Sequence, residues 1–228
     1  MATTAEEAAC TPVPIKRDRF NPCAVIPYGL DIDAIYQSMV EFTDFLGFIN
    51  TQLNSKGVQR FESMLMPANF SSMVGEFIIA TIPKYCKTLA KNKYHNGHPD
   101  LLPEGRYPGD SVQHEQEGIE VKASRYLRGW QGHNAEDCWL MVFCFVASRG
   151  SDLAKGIAPR PFAFKRVYLG QIVKADWIFS GRKEGSRRTI TASVTQSGYE
   201  KMTRNWIYSD DDVDAVEEAA EPPEEASE

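Results

Sequence analysis

A chain of 228 residues and 25.6 kDa, 43% hydrophobic and 25% charged, has the size and composition of one large globular domain or two small ones. Its formal charge of −6, from 25 basic and 31 acidic residues, taken as an average argues against a polyanionic partner. No apolar run approaches the length of a membrane-spanning helix, and the first residues lack the basic flank and apolar stretch of a signal peptide, so no membrane partner is expected.

Residues 1–25 read as irregular, broken by Pro12, Pro14 and Pro22. Asp31 or Asp33 is placed to cap a helix running to about residue 53, with Ile32, Ile35, Tyr36, Met39, Phe42, Leu46 and Ile49 recurring at three- and four-residue spacing. Gly57 interrupts it. Asn69 is the expected cap of a second helix carrying Phe70, Met73, Val74, Phe77, Ile78 and Ile82, which Pro83 ends or kinks. Turn residues then crowd 97–109, and strands follow. Residues 118–124 put Ile119 and Val121 on one face, and the nearly unbroken apolar run 139–147 suits a central strand covered on both sides. Residues 166–179 and 189–195 also read as strands, joined by the basic stretch SGRKEGSRR as a long hairpin. Helices first and strands after, with few crossover helices, predict a mixed α/β or α+β domain over residues 26–209.

The charge is unevenly placed. Residues 210–228 hold ten acids and no base, and are expected to form a disordered tail. Without that tail and the Glu6–Glu7 pair, residues 10–209 carry 25 bases against 19 acids, and 160–209 carry ten against three. A basic body points toward a polyanion after all. The tail invites two accounts, a solubility tag or a mimic of DNA phosphate folded over a basic cleft. Five cysteines (Cys10, Cys23, Cys86, Cys138, Cys144), odd in number and without a CxxC pair, are expected to be free thiols of a cytoplasmic protein.

The most informative stretch runs from His98-Pro99-Asp100 to Gly118-Ile119-Glu120-Val121-Lys122. Side chains alternate along a strand, so Glu120 and Lys122 share one side while Ile119 and Val121 enter the core. If Asp100 ends a neighbouring strand, its carboxylate meets that of Glu120. With the carbonyl of Val121 the two make a hard oxygen site suited to Mg²⁺, with Mn²⁺ as a substitute. Lys122 beside them can orient a water or offset charge on a phosphate. The bland alternatives are a turn-forming Asp100 and a solvated Lys122.

Pro99-Asp100 followed by Glu120-Val121-Lys122 resembles the PD-(D/E)XK nuclease superfamily, in particular the type II restriction endonucleases. The resemblance covers about residues 69–147. It implies a restriction-endonuclease-like core with a mixed sheet flanked by helices, and metal-dependent cleavage of double-stranded DNA. On that pattern Asp100 and Glu120 bind metal and Lys122 is the catalytic lysine. Glu76, on the helix before the motif, corresponds to a further glutamate that many members carry. The family usually has a helix between the EVK strand and the next one. Here residues 125–137 are short and hold two glycines, which predicts a hairpin connection or a helix reduced to a turn.

Other residues bear on a DNA partner. The loop after the EVK strand offers Gln131, His133 and Asn134 as donors to phosphates or base edges, and Trp130 as a stacking wedge. Arg182, Lys183, Arg187 and Arg188 form the densest basic cluster, with Lys165, Arg166 and Lys174 as possible extensions. A duplex cut on both strands needs two active sites, so a homodimer is the expected working form, with the first long helix as one candidate surface. His95-x₂-His98 invites a zinc reading, but no familiar spacing completes it. Cys138 and Cys144 read as core residues. The competing functions are a DNA-binding module without catalysis, a repair, recombination or modified-DNA nuclease on the same fold, and a small-molecule hydrolase using the His95/His98 region.

Overall fold

The computed structural model describes residues 4–132, 134–179 and 191–213. The helices are α1 (Ala5–Ala9), α2 (Ile32–Asn54), α3 (Phe61–Met64), α4 (Pro67–Tyr85) and α5 (Gln196–Arg204). The strands are β1 (Leu89–Lys91), β2 (Leu101–Pro103), β3 (Ile119–Ser124), β4 (Gln131–Gly132), β5 (Cys138–Val146), β6 (Ala163–Ile172), β7 (Trp177–Phe179), β8 (Ala192–Val194) and β9 (Trp206–Ser209). A six-stranded mixed sheet has the order β1-β2-β3-β5-β6-β9, and a small sheet the order β4-β8-β7. β1, β2 and β3 form an antiparallel meander, β3 pairs parallel with β5, and β6 and β9 continue antiparallel.

The expected first helix is α2. Asp31 caps it, its carboxylate accepting from the Ala34 N–H at 2.8 Å, and the helix faces the sheet with Ile35, Met39, Phe42 and Leu46, all fully buried. α4 begins two residues before Asn69: Pro67 opens the helix, where a missing N–H is harmless, and Asn69 lies inside it. Pro83 falls near its end, at Tyr85. Phe70, Val74, Ile78 and Ile82 of α4 bury fully against Ile119, Val121, Met141, Phe143 and Phe145. Burying each such side chain contributes about 1.5–3 kcal/mol, so this face dominates stability.

The opposite face explains why the β5 run is apolar throughout. Leu140, Val142 and Cys144 alternate onto a second core with Tyr168, Ile172, Trp130, Val194 and Met202. That core is roofed by α5 and the small sheet. The sequence reading missed α5. Thr195, expected at the end of a strand, caps it through Gly198, and Ser197 lies in its first turn. The helix lies close on β6, where a Cβ at Gly170 would fall 2.9 Å from Met202.

Further expectations change. Of the two connections expected between β3 and β5 the hairpin is ruled out, because the strands are parallel, and the crossover has no helix among its described residues. Trp130 sits inside this crossover, 3% exposed, with its indole N–H donating to the Tyr126 carbonyl at 2.9 Å. It is a core residue and not a stacking wedge. The strand expected over 166–179 breaks after Ile172, because the Asp176 carboxylate takes the Val173 N–H at 2.9 Å and turns the chain into β7 of the other sheet. Residues 10–25 pack onto the domain: the Val13 N–H donates to Phe162, and Phe20 bridges to Tyr208. Glu6, in the segment read as irregular, pairs with buried Arg60 at 2.8 Å. The start of the acidic run is likewise anchored, with Asp210 fully buried and 3.1 Å from Lys16.

Candidate active site

The site lies where the β1-β2-β3 meander meets the crossover. Gly118, at φ +142°, admits the Leu101 carbonyl and the Pro99 ring against β3 where a side chain would collide with them. Asn92 fixes the same turn. Its amide donates to the Pro99 carbonyl at 3.0 Å and the Val112 carbonyl at 2.9 Å, and its N–H donates to the Asp100 carbonyl at 2.8 Å. β2 is short, and its recorded pairing with β3 is Leu101 with Ile119. Beyond it, the Asp100 carboxylate accepts the Val121 N–H at 2.8 Å, taking the place of a strand. Both polar groups of a strand residue point to the same side, so the Val121 carbonyl is directed toward Asp100 as well.

Glu120 and Lys122 project from the face opposite Ile119 and Val121 and form an ion pair. Glu120 also meets His98, whose Nδ1 lies 3.0 Å from Oε2. His98 Nδ1 is 3.1 Å from Glu136, and Glu136 is 3.7 Å from His114. Apart from the exposed His114, these groups are buried or half-buried, which makes their charges interact strongly. Burial, and then the Glu120 charge, push the Asp100 carboxyl up to about 7 against the pull of Lys122. Burial also opposes ionisation of Glu120, but His98 and Lys122 outweigh it and hold that carboxyl down at about 2. Burial lowers Lys122 and His98, yet the facing carboxylates leave both raised, Lys122 by Glu120 and Asp100 and His98 by Glu120, Glu136 and Asp100.

Asp100, Glu120, Lys122, His98 and Glu136 line one cleft of about 1290 Å³. Glu76 lines it too, from α4, but its carboxylate is largely exposed and paired with Lys91 at 2.8 Å. The opposite wall includes Asn134 and Trp177. Asn134 donates to Glu136 at 3.4 Å, and Gln131 is exposed on β4. β7 and β8 pair antiparallel from Trp177↔Val194 to Phe179↔Ala192, as the arms of a hairpin should. Its basic connection, with Arg182, Lys183, Arg187 and Arg188, lies outside the described residues, as does His133. Arg166 pairs with Asp211 at 2.6 Å, and Lys174 is exposed.

The sequence reading missed His114 and Glu136. His98, His114 and Glu136 together could hold a metal ion, whereas His95 is exposed on the cleft and outside that group. Cys138 lies on the cleft wall with its thiol pushed well up by burial and by Glu120 and Glu136, which keeps it protonated and a poor nucleophile. All five cysteines are free. No helix among the described residues is long and apolar enough to cross a membrane. No protein-family model, no curated protein and no solved structure matches this chain.

Proposed function

We propose that the protein is a Mg²⁺-dependent endonuclease that hydrolyses phosphodiester bonds of double-stranded DNA, built on a restriction-endonuclease-like core. The observation that carries this reading is the meeting of Asp100, Glu120 and Lys122, from two elements, in one cleft. The meander and the parallel β3–β5 pair that hold them suit such a core, and the Glu-bearing α4 lies before the motif, as in many members of the family it resembles. The missing crossover helix departs from it.

The donor chemistry fits a hard divalent cation: two close carboxylates and a strand carbonyl directed to the same side, all oxygen. Asp100 and Glu120 would hold the ion, with the Val121 carbonyl, and Glu76 could join only by leaving Lys91. A bound Mg²⁺ supplies charge to polarise the phosphate and lowers the pKa of water. Lys122 keeps its proton beside Glu120 and is placed to orient the attacking water or to donate to the phosphate oxygen as charge grows there. Asp100, anchored by the Val121 N–H, keeps its carboxylate fixed through the cycle. Asn134, Gln131 and the basic hairpin would contact the duplex backbone. A homodimer working in the cytoplasm completes the reading, since one chain supplies one such cleft and two strands must be cut.

The test is incubation of plasmid and phage DNA, modified and unmodified, with protein and Mg²⁺ or Mn²⁺, beside Lys122→Ala. Discrete fragments that vanish with the variant mark a site-specific enzyme, and a smear marks a nonspecific one. DNA left intact on every substrate refutes the enzyme and leaves the DNA-binding module as the reading to pursue.

A further inference from the structure

Beside the Asp100–Glu120 oxygen pair lies a donor group of different chemistry. His98, His114 and Glu136 each offer one ligand atom, and the three atoms lie within 4.8 Å of one another. His98 Nδ1 is 3.1 Å from one Glu136 oxygen, and His114 Nδ1 is 3.7 Å from the other. A tetrahedral ion with bonds of about 2.0–2.2 Å spaces its ligands about 3.3–3.6 Å apart. The observed separations bracket that edge. The backbone, not the ion, sets the histidines: residues 98 and 114 form a parallel bridge, the His98 N–H donates to Gln113 at 3.0 Å, and the Glu115 N–H donates to the His98 carbonyl at 2.9 Å. The two rings stack with centroids 5.2 Å apart.

Nδ1 is the His98 atom that faces Glu136. Nε2 is buried and has no hydrogen-bond partner. For Nδ1 to bind a cation its proton must leave that nitrogen, and its contacts with the Glu120 and Glu136 carboxylates give way to the metal. The freed Nδ1 lone pair then faces Glu136 and His114. Two imidazoles and one carboxylate, with a fourth position left open, are ligands for zinc and other borderline ions, whereas Mg²⁺ demands oxygen.

We propose that His98, His114 and Glu136 form a site for a divalent transition-metal ion of the zinc class, next to the oxygen site, since Glu120 Oε2 lies 3.0 Å from the same His98 Nδ1. The site does not depend on the hydrolytic reading, because its occupancy is measured without DNA.

Metal-stripped full-length protein is dialysed to equilibrium against Zn²⁺ and, separately, against Mg²⁺, and the site is then loaded with Co²⁺ for absorption spectroscopy. One Zn²⁺ per chain is expected. His114→Ala and Glu136→Gln should each weaken it by at least about tenfold, the loss of a ligand costing no less than the loss of a ligand's supporting partner. His114 is 59% exposed, so its removal leaves the fold intact, which circular dichroism checks. Asp100→Asn should leave zinc affinity within a factor of about three. Absence of zinc uptake by the wild-type chain, wild-type affinity in both ligand variants, loss of zinc on Asp100→Asn, or a thiolate-to-cobalt absorption band would each overturn the site.

Discussion

Asp100→Asn separates stability from activity in a way that follows from the site's charges. The carboxyl ordinarily titrates near 3.8 and is pushed up to about 7 by burial and by Glu120. A folded pKa above the unfolded one means that the folded state holds its proton longer. Stability from this group is therefore full below about pH 4, falls as pH rises toward 7, and stays low above it. A rise from 3.8 to about 7 corresponds to about 4 kcal/mol of destabilisation at pH 8, a ceiling that relaxation of the site lowers to about 2 kcal/mol. Asparagine keeps the shape and still accepts the Val121 N–H, but carries no charge. In urea melts with EDTA at pH 8 the variant should be more stable by about 2 kcal/mol, and at or below about pH 4, where Asp100 is largely neutral in the unfolded chain as well, nearly equal to wild type. Added Mg²⁺ should stabilise wild type by about 1.4 kcal/mol at ten times its dissociation constant and leave the variant unmoved. The variant should cut no DNA. A variant less stable than wild type at pH 8, or one that Mg²⁺ still stabilises, would refute the charge argument.

Lys122→Ala should lower cleavage by about 10²–10⁴-fold while DNA affinity, read by gel shift in Ca²⁺, changes little. Unchanged turnover removes Lys122 from the chemistry. Arg60→Ala should cost about 3–5 kcal/mol in urea melts, because Arg60 is buried and donates to Glu62 at 2.7 Å and to the Arg160 carbonyl at 2.7 Å, and its loss strands a fully buried Glu62. A loss below about 1 kcal/mol would show that the network is replaceable. Truncation after Ser209 should destabilise the domain, since it removes buried Asp210 and its bond to Lys16, whereas truncation after Val213 should keep both. The second cut is therefore the one that tests the acidic tail, by whether nonspecific DNA affinity at low salt rises.

The legible parts of the fold are those set by local pattern. α2 announces itself through an Asp cap and a wide apolar stripe, and β5 through a run with no polar face to spare. α5 does not, because its buried residues are Gly198 and Met202 and the rest is polar. Its cues, Thr195 before the first turn and Lys201 and Arg204 in the last, are short-range and compete with a strand-like run of hydroxyl residues. Trp130 between polar and glycine neighbours looks like a surface anchor. Only the parallel β3–β5 pairing, a long-range fact, forces its segment across the second core.

The same division runs through the site. Glu120 and Lys122 share a face by strand alternation alone, so the sequence suffices for them. Asp100 joins them by a longer route. β2 stops short, Val121 is left with an N–H that must be satisfied, and the carboxylate satisfies it at 2.8 Å. The bond that completes the sheet edge is thus the bond that aims the carboxylate. Glu136 and His114 have no such local rule, since one lies in a crossover without periodicity and the other on an isolated bridge. Their meeting with His98 depends on where two irregular segments settle, and irregular segments follow the tertiary fold. An active edge built this way can keep its carboxylates fixed by the sheet while the groups around them, Glu136 and Asn134 on the crossover, are free to differ without disturbing the core.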